Sequence, residues 1–302
     1  MKSARTLPFL LFCALGIIWG SNFLFMKIAL EVITPLQIVW LRVLFGSLPI
    51  LGFAFLKKSM KWSDFKKAYH FLAMALIANV ATYYFFVKGT ELLTSGIAGV
   101  ISGAIPLMTA LLAVLTLPME KLTRRKALGL ILGLMGVMSV SHSEFSFSLT
   151  IGKELIGAGF ILLGSFCIAF GMVYVNKFIT PMKMSALSLA AYQTLFASFL
   201  LIMVTPTQGI GAIWGQPQAL LAIVLGLGLL GTGFAFVMYY FVIDRLGAVT
   251  ASSVFYIPPV VALLIGAVIR HEAVSLLQAL GTLAIIGGIY LVRDEGRPVT
   301  KA

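Results

Sequence analysis

Acidic residues are scarce in this chain. Ten Asp and Glu stand against 22 Lys and Arg in 302 residues, and charged residues make up only 11% of the whole. Soluble domains carry about 25% charge, so a chain this poor in charge and 60% hydrophobic is read as a membrane protein. The net charge of +12 is then to be read by side of the membrane, not as a basic patch, and no nucleic-acid partner is expected. Cysteine is nearly missing too. Cys13 and Cys167 each sit inside an apolar run, which excludes a disulfide framework and a metal-ligand spacing. The three histidines, His70, His142 and His271, fall at the ends of apolar runs, and no carboxylate lies near the middle of one. A Ser/His/Asp or His/Glu constellation, a phosphate loop and paired carboxylates are all lacking, so an enzyme is not expected, nor a cofactor or metal.

What the chain has instead is long apolar runs. Ten spans are expected, at 8–29, 35–56, 68–88, 93–115, 123–141, 154–176, 184–205, 217–242, 249–269 and 275–292. At about 1.5 Å per residue each can cross about 30 Å of hydrocarbon. Residues 1–6 carry Lys2 and Arg5 ahead of the first run and show no small-residue cleavage site, which predicts a retained span, not a signal peptide.

Residues 106–140 align with 258–292 without a gap when Pro106 is laid on Pro258. Glu120 then meets Glu272, Gly129 meets Gly281 and Gly136 meets Gly288. Leu and Ala matches are cheap in apolar sequence; a Pro, a Glu and two Gly in register are not. The chain reads as two five-span halves, 1–141 and 154–292, joined by a loop at 142–153 and followed by a tail at 293–302. Because five is odd, the second half enters from the opposite side and the repeats are inverted. Charge agrees. With the N-terminus inside, seventeen of the 22 Lys and Arg fall on inner segments, with Lys27, Lys88, Lys153 and Arg270 outside and Arg42 within a span. By the positive-inside rule both termini are cytoplasmic. The expected fold class is an all-α polytopic membrane protein of ten transmembrane helices in two inverted five-helix repeats.

Several of these residues resemble the EamA-type transporters of the drug/metabolite transporter superfamily. Trp19-Gly20-Ser21-Asn22, then Lys27, Pro35 and Arg42, are similar to that family's opening signature, and residues 106–136 and 258–288 to its two repeat endings. The resemblance implies a central cavity lined mainly by spans one, three, four, six, eight and nine. It also implies transport of amino acids and other small metabolites, commonly outward. The second half departs from the signature, reading Ala169-Phe170-Gly171-Met172 where the first has Trp-Gly-Ser-Asn.

A carrier needs polar groups at mid-depth, facing protein or water. Trp19 and Asn22 share a face of the first span, Asn79 and Tyr83 a face of the third, and Thr232, Phe236, Tyr239 and Tyr240 a side of the eighth. The substrate-binding candidates are Trp19, Asn22, Asn79, Tyr83, Ser102, Tyr239, Ser253 and Tyr256. Serines in such helices also serve as interhelical glue, and tyrosines near span ends as interface anchors. Gly16 and Gly20 suit a close helix contact. Pro106 and Pro258 each break a helical hydrogen bond, as hinges or as fixed kinks. Glu120 and Glu272 either cap the helices that follow, with Thr123 and Ser275 as N-caps, or form a gate. Arg42 is an intramembrane charge, either functional or structural, with Glu31 or a carbonyl as its expected partner. The partners expected are a small-molecule substrate and the lipid bilayer, for a monomer or weak dimer in the plasma membrane, that of a bacterium in the first instance. The expected function is export of a small neutral or zwitterionic metabolite such as an amino acid by alternating access. An uptake carrier or exchanger of the same fold, or a passive channel, is the alternative. With no buried acid at mid-depth, facilitated diffusion or exchange is expected in place of proton coupling.

Overall fold

The computed structural model of the chain describes residues 3–117, 123–142, 152–246 and 253–292. All regular structure among them is helical. In chain order the helices are α1 (Ser3–Leu30), α2 (Pro35–Leu56), α3 (Ser63–Leu92), α4 (Ser95–Thr116), α5 (Arg124–His142), α6 (Lys153–Met182), α7 (Ala186–Val204), α8 (Pro217–Val242), α9 (Ile257–Ile269) and α10 (Leu276–Val292). Their bounds lie close to the spans read from the sequence, except that α1, α3 and α6 run several residues longer and α9 begins at Ile257, later than the expected span 249–269. Among the described residues seven helices are long and apolar enough to cross a membrane, and α9 and α10 are shorter apolar helices. Large apolar side chains face outward, among them Leu134 and Met138 on α5 and Leu276, Leu283 and Tyr290 on α10. Buried positions include Asn22, Gln37, Arg42, Asn79, Gln193 and Thr232. An apolar exterior around polar interior groups is the distribution that lipid selects, and the chain is a polytopic membrane protein.

Local chemistry sets the helix boundaries. Pro35 occupies the first position of α2, where its missing N–H costs nothing, and Gln37 Oε1 accepts from Thr34 N at 3.1 Å. Ser275 and Gln278 form a reciprocal cap at the start of α10, Gln278 N donating to Ser275 Oγ at 3.2 Å and Ser275 N to Gln278 Oε1 at 2.8 Å. Thr123 Oγ1 accepts from Lys126 N at 3.2 Å ahead of α5.

The helices pair in matched sets. α1 packs on α9 and α6 on α4; α2 packs on α8 and α7 on α3; α3 packs on α6 and α8 on α1. α4 with α9, α5 with α10 and α2 with α7 complete the principal contacts. Exchanging each helix for the one five places along leaves this pattern unchanged. Every one of these pairings also joins the first five helices to the last five, so the halves interleave and neither has a core of its own.

Glycine permits the closest approaches. A Cβ on Gly136 would stand 2.6 Å from the Gly281 carbonyl oxygen, and one on Gly288 2.6 Å from that of Gly129. These four are the glycines that the sequence alignment sets in register, and the reciprocal contacts mean that α5 and α10 run antiparallel. Gly16 and Gly20 of α1 face Ile257, Pro258 and Val261 of α9, with less than 3 Å left for a side chain at either position.

Two irregular stretches recur between the halves. α3 is wound as a π-helix over Ala75–Ala81, and α8 over Ala222–Phe234, in each case ahead of a Tyr-Tyr-Phe triplet. In α4 a 3₁₀ turn at Ser102–Ala104 precedes Pro106, and a 3₁₀ turn at Ser253–Tyr256 precedes Pro258 at the start of α9. Both prolines therefore stand where a helix restarts, not in its middle, and cost little there.

Candidate functional site

Four helices bring a polar cluster together around Arg42. Its Nε donates to Thr232 Oγ1 of α8 at 2.9 Å, and its guanidinium lies 4.0 Å from the centre of the Tyr83 ring of α3. With the Asn22 amide oriented to satisfy both ends, its oxygen accepts from Arg42 Nη2 at 3.3 Å and its nitrogen donates to Ile18 O at 3.2 Å. The Thr232 hydroxyl in turn donates to Leu227 O at 2.9 Å, within the π-wound stretch of α8. Asn22, Arg42, Tyr83 and Thr232 are all buried. Along their helices, Asn22, Arg42 and Tyr83 lie about 10–14 Å from Leu30, Pro35 and Leu92 at ~1.5 Å per residue, roughly mid-depth in a bilayer.

An aromatic group adjoins this cluster. Trp19, one turn from Asn22 on α1, stacks on Phe255 at 5.3 Å between ring centres and tilts against Tyr239 at 5.5 Å. Tyr239 touches Phe255 at 6.3 Å and Tyr240 at 6.4 Å. Trp19 and Asn22 lie one turn apart on α1, and Tyr239 lies about two turns beyond Thr232 on α8, which sets the aromatic group beside the Arg42 cluster. Trp19, Asn22, Tyr83, Tyr239 and Arg42 of the sequence candidates thus meet at one place, with contributions from both halves. The arrangement offers flat aromatic walls beside a hydrogen-bonding edge, which suits a small amphipathic solute.

Other candidates stand elsewhere. Ser102 donates to Gly99 O at 2.6 Å within its own helix, the packing role. The side chains of Ser253 and Tyr256 and the whole of Glu120 lie outside the described residues. Phe255, next to Tyr256, is a member the sequence reading missed. Only the altered rotation of a 3₁₀ turn, about 120° per residue, could have pointed to it. Arg42 does not pair with Glu31; Glu31 binds Arg270 at the surface at 3.1 Å.

Asn79 is fully buried, one turn from Tyr83 in the π stretch of α3, and neither its amide nitrogen nor its oxygen has a partner among the described residues. An orphan amide at that depth costs several kcal/mol and marks a group kept for a reason other than stability. Asn79→Leu is therefore expected to leave the melting temperature in detergent unchanged or raised, because the unpaired group is removed, while transport falls at least about tenfold, equivalent to ~1.4 kcal/mol. A drop in stability with transport intact would make Asn79 a packing residue.

Glu272 does not cap the helix that follows it. Its Oε1 accepts from Ser95 N at 2.9 Å and Ser95 Oγ at 2.7 Å, and its Oε2 from Gly96 N at 2.8 Å. The carboxylate thus caps α4, across the interface between halves, while Ser275 serves α10. Gly96 and Gly266 flank the carboxylate closely, where a side chain on Gly266 would collide with it. On the same turn Lys27 Nζ donates to Thr90 O at 3.0 Å, in the last turn of α3, and to Leu93 O at 2.7 Å, just beyond its end. A cation on the outgoing carbonyls and an anion on the incoming amides match the helix dipoles at that bend. A pocket of about 390 Å³ there, lined by Lys27, Leu92, Leu93, Thr94 and Glu154, lies at the helix ends, away from the aromatic group.

Comparison with known proteins agrees with this architecture. A solved crystal structure superposes with a TM-score of 0.62 at 18% identity, covering 95% of this chain and 97% of the other, which shows the fold. Relatives over nearly the full length include the uncharacterized transporter YoaV of Bacillus subtilis, 26% identical over 282 residues (91% of this chain, 92% of YoaV). Another is the uncharacterized inner membrane transporter YedA of Escherichia coli K12, 28% identical over 281 residues (92% of this chain, 88% of YedA). The model of the EamA-like transporter family matches twice, over residues 6–142 and 155–293. With both halves matched and the helical membrane architecture in place, the chain belongs to the EamA-like transporter family and is a transporter.

Proposed function

We propose that this chain is a carrier that exports a small neutral or zwitterionic metabolite, such as an amino acid, by alternating access. The observation that carries the reading is the meeting of Trp19, Asn22, Arg42, Tyr83 and Tyr239, from both halves, at mid-depth. In this reading the molecule has ten transmembrane helices in two inverted repeats, 1–141 and 154–292. The matched helix pairings and the double family match support that division. Both termini are cytoplasmic, and the membrane is the bacterial inner membrane, as in the name of the relative YedA. The carrier works as a monomer or weak dimer. It works by exchange or facilitated diffusion, because no carboxylate among the described residues bonds to the cluster.

Two experiments test this. In proteoliposomes, efflux and uptake are screened over pooled amino acids and metabolites. Saturable flux with counterflow is expected; currents that never saturate would favour a channel, and uptake driven inward only would favour the importer. For topology, a cysteine at Gly211 is expected to react with impermeant maleimide from outside and one at Lys61 only from inside. Labelling of both from one side would remove the ten-helix arrangement.

A further inference from the structure

Arg42 is buried, only 4% exposed, yet every partner it has among the described residues is neutral: the Thr232 hydroxyl, the Asn22 amide oxygen and the Tyr83 ring. Among the described residues no carboxylate lies within ion-pair distance of it. A buried cation without a counter-charge costs several kcal/mol, and α2 could have carried a leucine there. The neutral partners take two of the five N–H donors of the guanidinium and fix its plane, and Tyr83 supports one face. This is how a planar fork is held ready for a two-pronged acceptor. Beside it stand the aromatic walls of Trp19, Tyr239 and Phe255.

We propose that Arg42 binds the carboxylate of the transported solute and supplies the charge complement that the protein itself leaves out. The inference rests on the carrier reading and narrows its substrate to carboxylate-bearing solutes. A zwitterion with an apolar side chain satisfies both parts of the site: its carboxylate lies on Arg42 and its side chain between the rings, and its ammonium can face an aromatic surface.

The test compares a mixture of the common L-amino acids with the matched mixture of their carboxamides, which keep the side chain and amine and lose only the carboxylate. Both compete for efflux from proteoliposomes of a labelled substrate found in the screen above. On the wild-type protein the acids are expected to compete at least about tenfold better than the amides, the effect of one lost charge-assisted contact. Arg42→Gln is expected to abolish that preference, and Arg42→Lys to restore part of it. Equal competition by amides and acids, or a labelled substrate without a carboxylate, overturns the assignment, and the wild-type comparison decides it even where Arg42→Gln fails to fold. If nothing in the screen moves, the carrier reading itself falls and the assignment with it, a result distinct from a carrier indifferent to the carboxylate.

Discussion

Replacing Gly136 by leucine is expected to abolish assembly of the folded protein. A Cβ at that position would lie 2.6 Å from the Gly281 carbonyl oxygen and 2.8 Å from the Ile285 amide nitrogen. Both are backbone atoms, with no rotamer to change, so α5 and α10 must separate along a glycine-lined contact between the halves. Overpacking against movable side chains costs about 1–3 kcal/mol; against rigid backbone the cost should exceed about 4 kcal/mol, enough to remove most of the stability of a typical domain. Size-exclusion profile and thermal melting in detergent provide the readout. Gly288→Leu should do equal damage, because it meets Gly129 and Gly133 in the same way. Gly52→Leu and Gly159→Leu, where nothing lies within 4 Å, should shift stability by no more than about 0.5 kcal/mol. A monodisperse Gly136→Leu protein with an unchanged melt would refute the close contact of α5 and α10.

Glu272→Ala is expected to release the end of the molecule where α3 turns into α4. It removes three hydrogen bonds at the α4 N-terminus and an anion matched to the dipole there. Loss of a cap costs about 0.5–2 kcal/mol and loss of a dipole-matched charge about 0.3–1 kcal/mol. A combined shift of about 2 kcal/mol moves an opening equilibrium roughly thirtyfold. In a background with Cys13 and Cys167 replaced by serine, a cysteine at Thr94 should therefore react faster with impermeant maleimide in Glu272→Ala than in the parent. Glu272→Gln, which keeps an acceptor but not the charge, should fall between. Unchanged labelling in all three would show that the cap does not hold that end shut.

How much of this was legible in the sequence depends on whether a feature is local. The helices were readable because apolar runs, Pro35 and the Ser275 cap act within a few residues. The duplication was readable because Gly129, Gly136, Gly281 and Gly288 must be glycine for one shared reason, and the structure shows those four touching in reciprocal pairs. Faces were readable as well, so Trp19 with Asn22 and the tyrosines of α3 and α8 could be singled out together. Partners were not. Because the halves interleave, the partner of Glu272 lies 177 residues away at Ser95, and a local reading gave it the neighbouring helix. Arg42 was expected to pair with Glu31, which is near in sequence, or with a carbonyl, whereas its partners are side chains of α1, α3 and α8. Phe255 was not singled out because the reading looked for polar and hydrogen-bonding side chains, and a phenylalanine in an apolar run carries no such mark. The π stretch around Asn79 likewise leaves no mark in composition.

The central claim is that solute passes through the aromatic and polar cluster between the halves. Counterflow of the labelled substrate in proteoliposomes tests it most directly, in wild-type protein and in Trp19→Ala and Tyr239→Ala, each matched for amount and monodispersity. The account predicts saturable counterflow for wild type and at least about a tenfold loss in each variant, equivalent to ~1.4 kcal/mol of binding or gating energy. Variants that insert normally and exchange substrate at the wild-type rate would contradict it.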